Sequence, residues 1–273
     1  MLKIPIFYKL AGFPQLSLPQ KAKFSIISII NIVEYHFFLG ILKKMIQRSD
    51  YVQALNPVIK IALIRNFKIP ETRVLLIPNS IQCDEFRDFY HPGLNTFGYV
   101  GRLDAIKNLL ALIKAFKSFH NHFPNFRLAI FGEGQELGTL QKAVKDLELE
   151  KAVTFYGFQK DPLQIYTKFD YFILPSFSEG ISNSLLEAMA VGMPILVSNI
   201  PGNKFLVDDG KEGLTFDPQD INDMVQKMER IITDTKLREH IRINASRKVR
   251  SLFDTDTVVK KMLAIMRIAK KHN

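Results

Sequence analysis

The sequence predicts an α/β protein built on parallel sheet, and three observations predict it. From Tyr51 onward, short β-branched or aromatic runs alternate with longer segments of helical period, the pattern of strands feeding crossover helices. Two polar loops follow directly after apolar strands, at the sheet edge where open parallel sheets bind ligands. The composition, 47% apolar and 23% charged over 273 residues, is that of a packed chain with room for two domains, which excludes disorder and fibrous repeats.

In chain order, Met1 to Ile6 lack the cationic start, apolar core and small-residue cleavage site of a secretory signal, so export is not expected. Phe24 to Ile46 is the most apolar stretch, yet Asn31, Glu34, His36, Lys43 and Lys44 would have to be desolvated in a bilayer. It reads as a half-buried helix, or as an interfacial helix with its lysines at lipid headgroups, rather than as a membrane span. Next come strand Tyr51–Leu55, helix Pro57–Phe67 and strand Val74–Ile77, each assigned by its period and length. Pro78 to Thr96 has turn chemistry without periodicity and reads as the linker between two domains. Beyond it alternate strand Phe97–Val100, helix Asn108–His122, strand Arg127–Phe131, helix Glu136–Leu147, strand Val153–Tyr156 and helix Pro162–Lys168. Strand Tyr171–Leu174, helix Ser182–Val191, strand Ile195–Val197 and helix Asp220–Ile232 follow, and helical pattern runs from Lys236 to the C-terminus.

The 37 Lys and Arg against 27 Asp and Glu give a net charge of +10, which suits a polyanionic partner: nucleic acid, anionic lipid or phosphorylated small molecules. Charge alone does not choose among them. The single cysteine, Cys83, excludes an internal disulfide and cannot build a cysteine-based metal cluster by itself, which fits a reducing, cytoplasmic setting.

Gly101-Arg102-Leu103-Asp104-Ala105-Ile106-Lys107-Asn108 follows a strand and precedes a helix. Gly101 lets backbone approach a ligand, while Arg102 and Lys107 bring two cations to one loop, as a diphosphate requires; a solvated basic loop fits equally well. The second segment runs from Pro175 to Ala190. Ser182 or Asn183 is a helix N-cap whose first-turn amides would face an anion. Glu179 in the loop and Glu187 in the helix could accept from vicinal sugar hydroxyls, or serve as helix-dipole complement and surface ion pair.

Glu179 and Glu187 form an E-x7-E motif within Ser178-Glu179-Gly180, Leu186-Glu187-Ala188-Met189-Ala190 and Gly192-Met193-Pro194, with Gly101-Arg102-Leu103 and Lys107 upstream. This combination resembles the donor half of GT-B fold glycosyltransferases of family 4, the retaining group called glycosyl transferase group 1. The resemblance runs from about Ile41 to the C-terminus, and Ile77-Pro78-Asn79-Ser80 is similar to the family's interdomain Ile-Pro-Asn-Gly segment. It implies an α/β, GT-B type chain: a partial, acceptor-side Rossmann-like domain at 1–90, a complete Rossmann-like donor domain at 91–252, and a C-terminal helix at 253–273 packing back on the first domain. It further implies that Arg102 and Lys107 neutralise the leaving diphosphate, that Glu179 contacts the donor sugar and that Glu187 binds the ribose hydroxyls. Gly101 and the amides of Gly180, Ile181, Ser182 and Asn183 would help hold sugar and phosphate, and Gly157 with Phe158 would meet the base. Fixed cations and helix amides stabilise a departing diphosphate without a metal, so no metal or other cofactor is expected.

Three rival motifs are weaker. Gly132-Glu133-Gly134 with Gly138 is spaced G-x-G-x-x-x-G, and the next strand ends at Gly157-Phe158 without an acidic ribose ligand, which argues against a nicotinamide enzyme. Asp254-Thr255-Asp256 follows no apolar strand and reads as a helix start rather than a metal site. His120 and His122 are two apart and point to different faces of a helix.

The front of the chain departs from the family pattern. Its ninety or so residues are few for a whole doubly wound acceptor domain. If Ile4 to Phe13 matches the family strand that ends in a histidine, that position falls near Ala11-Gly12 and the imidazole is missing. The expectation is therefore a glycosyltransferase that moves a hexose-type sugar, with retention, from a nucleotide sugar to a polysaccharide or lipid-linked acceptor in cell-surface glycan synthesis. The alternative is a non-catalytic nucleotide-sugar-binding module, or one subunit of a two-chain transferase whose partner supplies the rest of the acceptor domain. Nucleic acid is not an expected partner. Lys21, Lys23, Lys43 and Lys44 flank the apolar stretch Phe24–Leu42 and suggest a cytoplasmic chain held peripherally at an anionic membrane face.

Overall fold

The computed structural model describes residues 7–10, 46, 48–86, 90 and 92–271. The apolar stretch Phe24–Leu42 and the pair Ala11-Gly12 lie outside the described residues. The chain divides into two units, Met1–Pro78 and Asn79–Asn273. Among the described residues, no helix is long and apolar enough to cross a membrane.

In the first unit, β1 (Phe7–Leu10), β2 (Tyr51–Ala54) and β3 (Val74–Leu76) pair in parallel in that order, with Phe7 opposite Tyr51 and Val52 opposite Val74. Helix α1 (Pro57–Asn66) makes the crossover from β2 to β3. It begins where it does because the Asn56 side chain accepts from the Ile59 amide at 2.9 Å and Pro57 needs no amide partner in the first turn. Ile59 and Leu63, four apart on one face, are buried in the same core as Val52, Ala54, Ile69 and Val74.

The second unit holds six parallel strands: β4 (Thr96–Val100), β5 (Arg127–Phe131), β6 (Val153–Gly157), β7 (Tyr171–Leu174), β8 (Ile195–Ser198) and β9 (Leu214–Phe216). Their spatial order is β6-β5-β4-β7-β8-β9. Counted from β4 this is 3-2-1-4-5-6, the doubly wound order whose direction reverses between β4 and β7. Every residue of β7 and β8 is buried, as strands covered on both faces require. The connecting helices are α2 (Leu109–His122), α3 (Leu137–Asp146), α4 (Pro162–Tyr166), α5 (Asn183–Val191), α6 (Pro201–Lys204) and α7 (Ile221–Thr233), followed by α8 (Thr235–Leu252) and α9 (Thr255–Lys271). In α2 the buried Leu109, Leu112, Ile113, Phe116 and Phe119 recur at helical spacing, and Phe119 meets Phe97 of β4 edge to face at 5.3 Å. The starts of β4 and β7 are pinned together by the buried Asp170 carboxylate, which accepts from the amides of Gly93, Leu94 and Thr96 at 2.9 to 3.2 Å.

Two short elements, α6 and β9, escape the sequence reading because four and three residues give periodicity too little to act on. The segment after Pro78 is more structured than its turn-rich composition suggests. The Ile81 amide donates to the Phe253 carbonyl at 3.1 Å and its carbonyl accepts from Thr255 at 2.9 Å, while Cys83 and Phe86 are buried. At the same junction the Asp254 carboxylate accepts from the amides of Cys83 and Asp256, both at 3.2 Å, so it starts α9 as a cap. His122 is exposed and contacts Glu229 at 2.9 Å, whereas His120 is half-buried and stacks on Phe116.

Candidate functional site

The loops that follow β4 and β7 flank the point where the strand order reverses. That is the crevice in which open α/β sheets take ligands. Both loops singled out in the sequence therefore share one mouth.

The loop after β4 rests on the loop after β5. Gly101 donates to the Phe131 carbonyl at 3.0 Å, Leu103 donates to Glu133 at 2.8 Å, and Glu136 donates back to Leu103 at 2.9 Å. Gly132 lies so close beneath that a Cβ there would stand 1.9 Å from the Gly101 carbonyl oxygen. Two of the glycines that imitate a dinucleotide fingerprint, Gly132 and Gly134, thus serve close backbone packing under the basic loop, whereas a Cβ on Gly138 would meet open space.

Three links bind the two mouth loops. Phe177 donates its amide to the Ile106 carbonyl at 2.9 Å. Asn108, buried and left-handed at φ 56°, donates through Nδ2 to the carbonyls of Pro175 and Pro218 at 3.2 and 2.8 Å. Lys107 Nζ meets Glu179 Oε1 at 2.8 Å, with side-chain exposures of 15% and 9%, and Ser176 Oγ donates to the same oxygen at 2.7 Å. Both of these donors fall on Oε1 and leave Oε2 to face other groups. From below, a Cβ on Gly202 would stand 2.1 Å from the Glu179 carbonyl oxygen, so the start of α6 backs this loop.

Arg102 shares the loop but not the network. Its guanidinium is 79% exposed and pairs with Asp104 at 3.1 Å, so of the two cations grouped by the sequence only Lys107 reaches Glu179. The Tyr99 hydroxyl donates to the Arg102 carbonyl at 2.8 Å, and burial, with the charges of Glu179 and Asp104, pushes its proton affinity far up.

Helix α5 opens at the mouth. Ser182 is its N-cap, accepting from the Leu185 amide at 3.3 Å, which leaves first-turn amides and a positive dipole end for an anion. Exposed Asn183 accepts through Oδ1 from Asn79 Nδ2 at 2.9 Å, and Asn79 also donates to the Ile181 carbonyl at 3.2 Å. Asn79 Oδ1 is buried with no hydrogen-bond partner among the described residues. Ile181 is buried and Gly180 half-buried beside it. One turn into α5, the half-buried Glu187 accepts at Oε2 from the Tyr166 hydroxyl at 2.7 Å. Burial raises its pKa, and the Tyr166 hydrogen bond partly opposes that rise.

Gly157 ends β6, its carbonyl accepting from Gly132 at 2.8 Å, and Phe158 beyond it is 69% exposed. β6 stands two strands from β4, about 10 Å at ordinary strand spacing, roughly the reach of a nucleoside diphosphate. A separate concavity lined by Phe86, Glu239, Arg242, Arg247 and Arg250 lies at the other end of α5, away from this mouth. Among the described residues, no three His, Cys, Asp or Glu side chains gather as a metal site.

The sequence reading missed Ser176, Asn108, Tyr166 and the contacts of Asn79. Asn79, Asn108 and Ser176 stood in motif segments already noted, without these roles, and Tyr166 stood in none of these. Asn108 and Tyr166 act through partners 21 to 110 residues away, which no local pattern reports, whereas Ser176 reaches Glu179 three positions on.

The family model for glycosyl transferases group 1 matches residues 85–248. Capsular polysaccharide biosynthesis glycosyltransferase CapM of Staphylococcus aureus is 25% identical over 240 residues, covering 82% of this chain and 63% of the relative. The UDP-Gal:alpha-D-GlcNAc-diphosphoundecaprenol alpha-1,3-galactosyltransferase of Escherichia coli is 29% identical over 201 residues, covering 68% and 52%. The chain thus spans between half and two thirds of the length of these curated relatives. Among solved structures, Staphylococcus aureus TarM in a complex with UDP superposes with a TM-score of 0.78 at 18% identity, covering 95% of this chain and 50% of that one. Anabaena HepE in complex with UDP and glucose gives 0.76 at 20%, covering 84% and 66%. At these identities the likeness shows the fold, which is the GT-B type with Rossmann-like sheets.

Proposed function

The chain belongs to the glycosyl transferases group 1 family, and from that premise we propose that it transfers a hexose from a nucleotide sugar, with retention, to a polysaccharide or lipid-linked acceptor in cell-surface glycan synthesis. The observation that carries this reading is the Lys107–Glu179 contact across the reversal point of the doubly wound sheet. It joins one loop suited to a diphosphate with another that opens a helix N-terminus.

In this reading Lys107 and Arg102 neutralise the charge that grows on the diphosphate as the glycosidic bond breaks, and the amides from Gly180 to Asn183 share that load. Such donors are fixed before the reaction, so they lower the barrier without reorganising. Glu179 Oε2 takes a hydroxyl of the donor sugar, Glu187 takes the ribose, and Gly157 with Phe158 lines the base. The proposal includes no metal. It also includes reversible association with an anionic leaflet, supported by the +10 charge and by a relative whose name specifies a diphosphoundecaprenol substrate.

The test is a thermal-shift screen with UDP, GDP and ADP, because a ligand that binds only the folded chain raises its midpoint in proportion to the logarithm of concentration over Kd. Transfer is then assayed with the matching nucleotide sugar in excess chelator, and the anomeric configuration of the product is read by NMR. Stabilisation by none of the three overturns the site. Inversion, or rescue by manganese of activity lost to chelator, overturns the mechanism.

A further inference from the structure

We propose that Tyr166 is a positioning residue for the ribose-binding carboxylate: its hydroxyl holds Glu187 Oε2 and thereby presents the ionised Oε1 to the vicinal hydroxyls of the nucleotide. The inference rests on the assignment of Glu187 to the ribose. Helix α4 is fixed at its start by Asp161, whose carboxylate accepts from the Leu163 amide at 3.0 Å, with Pro162 in the first turn. Tyr166 ends that helix. Its ring is buried, edge-on to Phe86 at 6.1 Å and tilted against Phe169 at 5.7 Å. A side chain packed this way has no rotamer to spare, and its hydroxyl is delivered to α5 in one place.

Two acceptors stand there: Glu187 Oε2 at 2.7 Å and the Ser184 carbonyl at 3.1 Å. Ser184 and Glu187 are three apart and share a face of α5. A phenol has one proton, and the shorter, charge-assisted contact claims it while Glu187 is ionised. When Glu187 is protonated, its own proton can donate to the phenol oxygen, and the phenol turns to Ser184. The phenol has an acceptor in both states, but only the ionised state carries the charge-assisted bond. Tyr166 keeps its proton throughout, since burial and the adjacent Glu187 charge raise its pKa well above the ordinary phenol value.

No competing group performs this role among the described residues. Glu187 makes no ion pair there. Of the charged groups on elements around α5, Arg242 and Arg250 of α8 donate to the carbonyls of Gly192 and Ala190 at the opposite end of the helix. Glu239 is engaged by Arg242, Asp84 by Arg250, and Glu179 by Lys107. Burial opposes the charged form of Glu187, and the hydrogen bond from the Tyr166 hydroxyl favours it.

The experiment measures the affinity of UDP, GDP and ADP for the full chain by calorimetry from mildly acidic to mildly alkaline pH, in wild type, Tyr166→Phe and Glu187→Gln. Dividing each Kd by that of Glu187→Gln at the same pH cancels the ligand's own titration. Wild type is expected to bind about tenfold more tightly than Glu187→Gln where Glu187 is ionised, the worth of one charge-assisted contact, and to lose that advantage as pH falls. In Tyr166→Phe the midpoint of this loss moves to higher pH. If Tyr166→Phe does not fold, replacing the tyrosines with 3-fluorotyrosine keeps the shape, strengthens the phenol as a donor and moves the midpoint to lower pH. Equal affinity of wild type and Glu187→Gln at every pH, or no binding of any of the three nucleotides, overturns the ribose assignment itself. A wild-type midpoint that Tyr166→Phe or fluorotyrosine leaves in place, with or without a uniform loss of affinity, overturns the positioning role alone.

Discussion

Breaking the Lys107–Glu179 pair from either side should give opposite results for the free nucleoside diphosphate. At 2.8 Å the gross attraction is roughly 6 kcal/mol at an effective dielectric of about 20, and desolvation of two largely buried groups takes back most of it. A diphosphate bound as proposed would compete with Glu179 for Lys107. Lys107→Ala removes a charge-assisted contact worth about 1.5–3 kcal/mol, so the Kd for free diphosphate should rise roughly 10- to 150-fold. Glu179→Gln removes only the competitor and should leave that Kd unchanged or lower it by up to about tenfold. The same variant should bind the complete nucleotide sugar more weakly, because Glu179 would touch the sugar. The double variant should follow Lys107→Ala, since nothing then remains for Glu179 to withhold. Thermal midpoints add an independent reading. Lys107→Ala leaves a largely buried carboxylate with the Ser176 hydroxyl, at a cost of about 2–3 kcal/mol, or about 4–12 °C for a unit of this size. Calorimetry at neutral pH and fixed ionic strength measures all four chains. If Glu179→Gln weakens free diphosphate as much as Lys107→Ala does, the carboxylate is part of the phosphate site and the competition argument is wrong.

Gly132→Ala should destabilise by about 3 kcal/mol or more and displace the basic loop, because its Cβ would fall 1.9 Å from a carbonyl oxygen at φ 131°; denaturant unfolding and nucleotide affinity should both register it. Glu187 has its pKa raised by burial, so the folded chain binds the extra proton and stability falls as pH rises from the ordinary carboxylate value through the folded one. Glu187→Gln should therefore have the higher thermal midpoint at neutral pH and lose that advantage in acid, while binding nucleotide more weakly. Sedimentation with anionic but not neutral liposomes, reversed by high salt, is expected of a chain with charge +10; absence of binding to either removes the membrane proposal.

Much of the second unit was legible in the sequence, since the signals involved are local. Buried parallel strands are short apolar runs, Ser182 caps the helix that follows it, and the spacing of Glu179 and Glu187 places one in the loop and the other a turn into α5. Local signals also failed for local reasons. The segment from Asn79 to Phe86 reads as a tether by its turn residues, yet its backbone is paired to the α8–α9 junction. Arg102 and Lys107 look equivalent in one loop, but only Lys107 lies on the side that faces Glu179.

What the sequence by itself determined is where most of the strands and helices of the second unit lie and which polar loops follow β4 and β7, because period, caps and turn residues act over a few positions. Tertiary structure alone decided which strands are neighbours. Backbone hydrogen bonds between parallel strands are blind to side-chain identity, so no residue pattern announces that β4 pairs with both β5 and β7. That strand order brings Lys107 to Glu179 across 72 positions, seats Gly132 under Gly101, and aims the Tyr166 hydroxyl at Glu187. The partners come together because the sheet fixes where each loop begins, and the loops then have only one crevice to share.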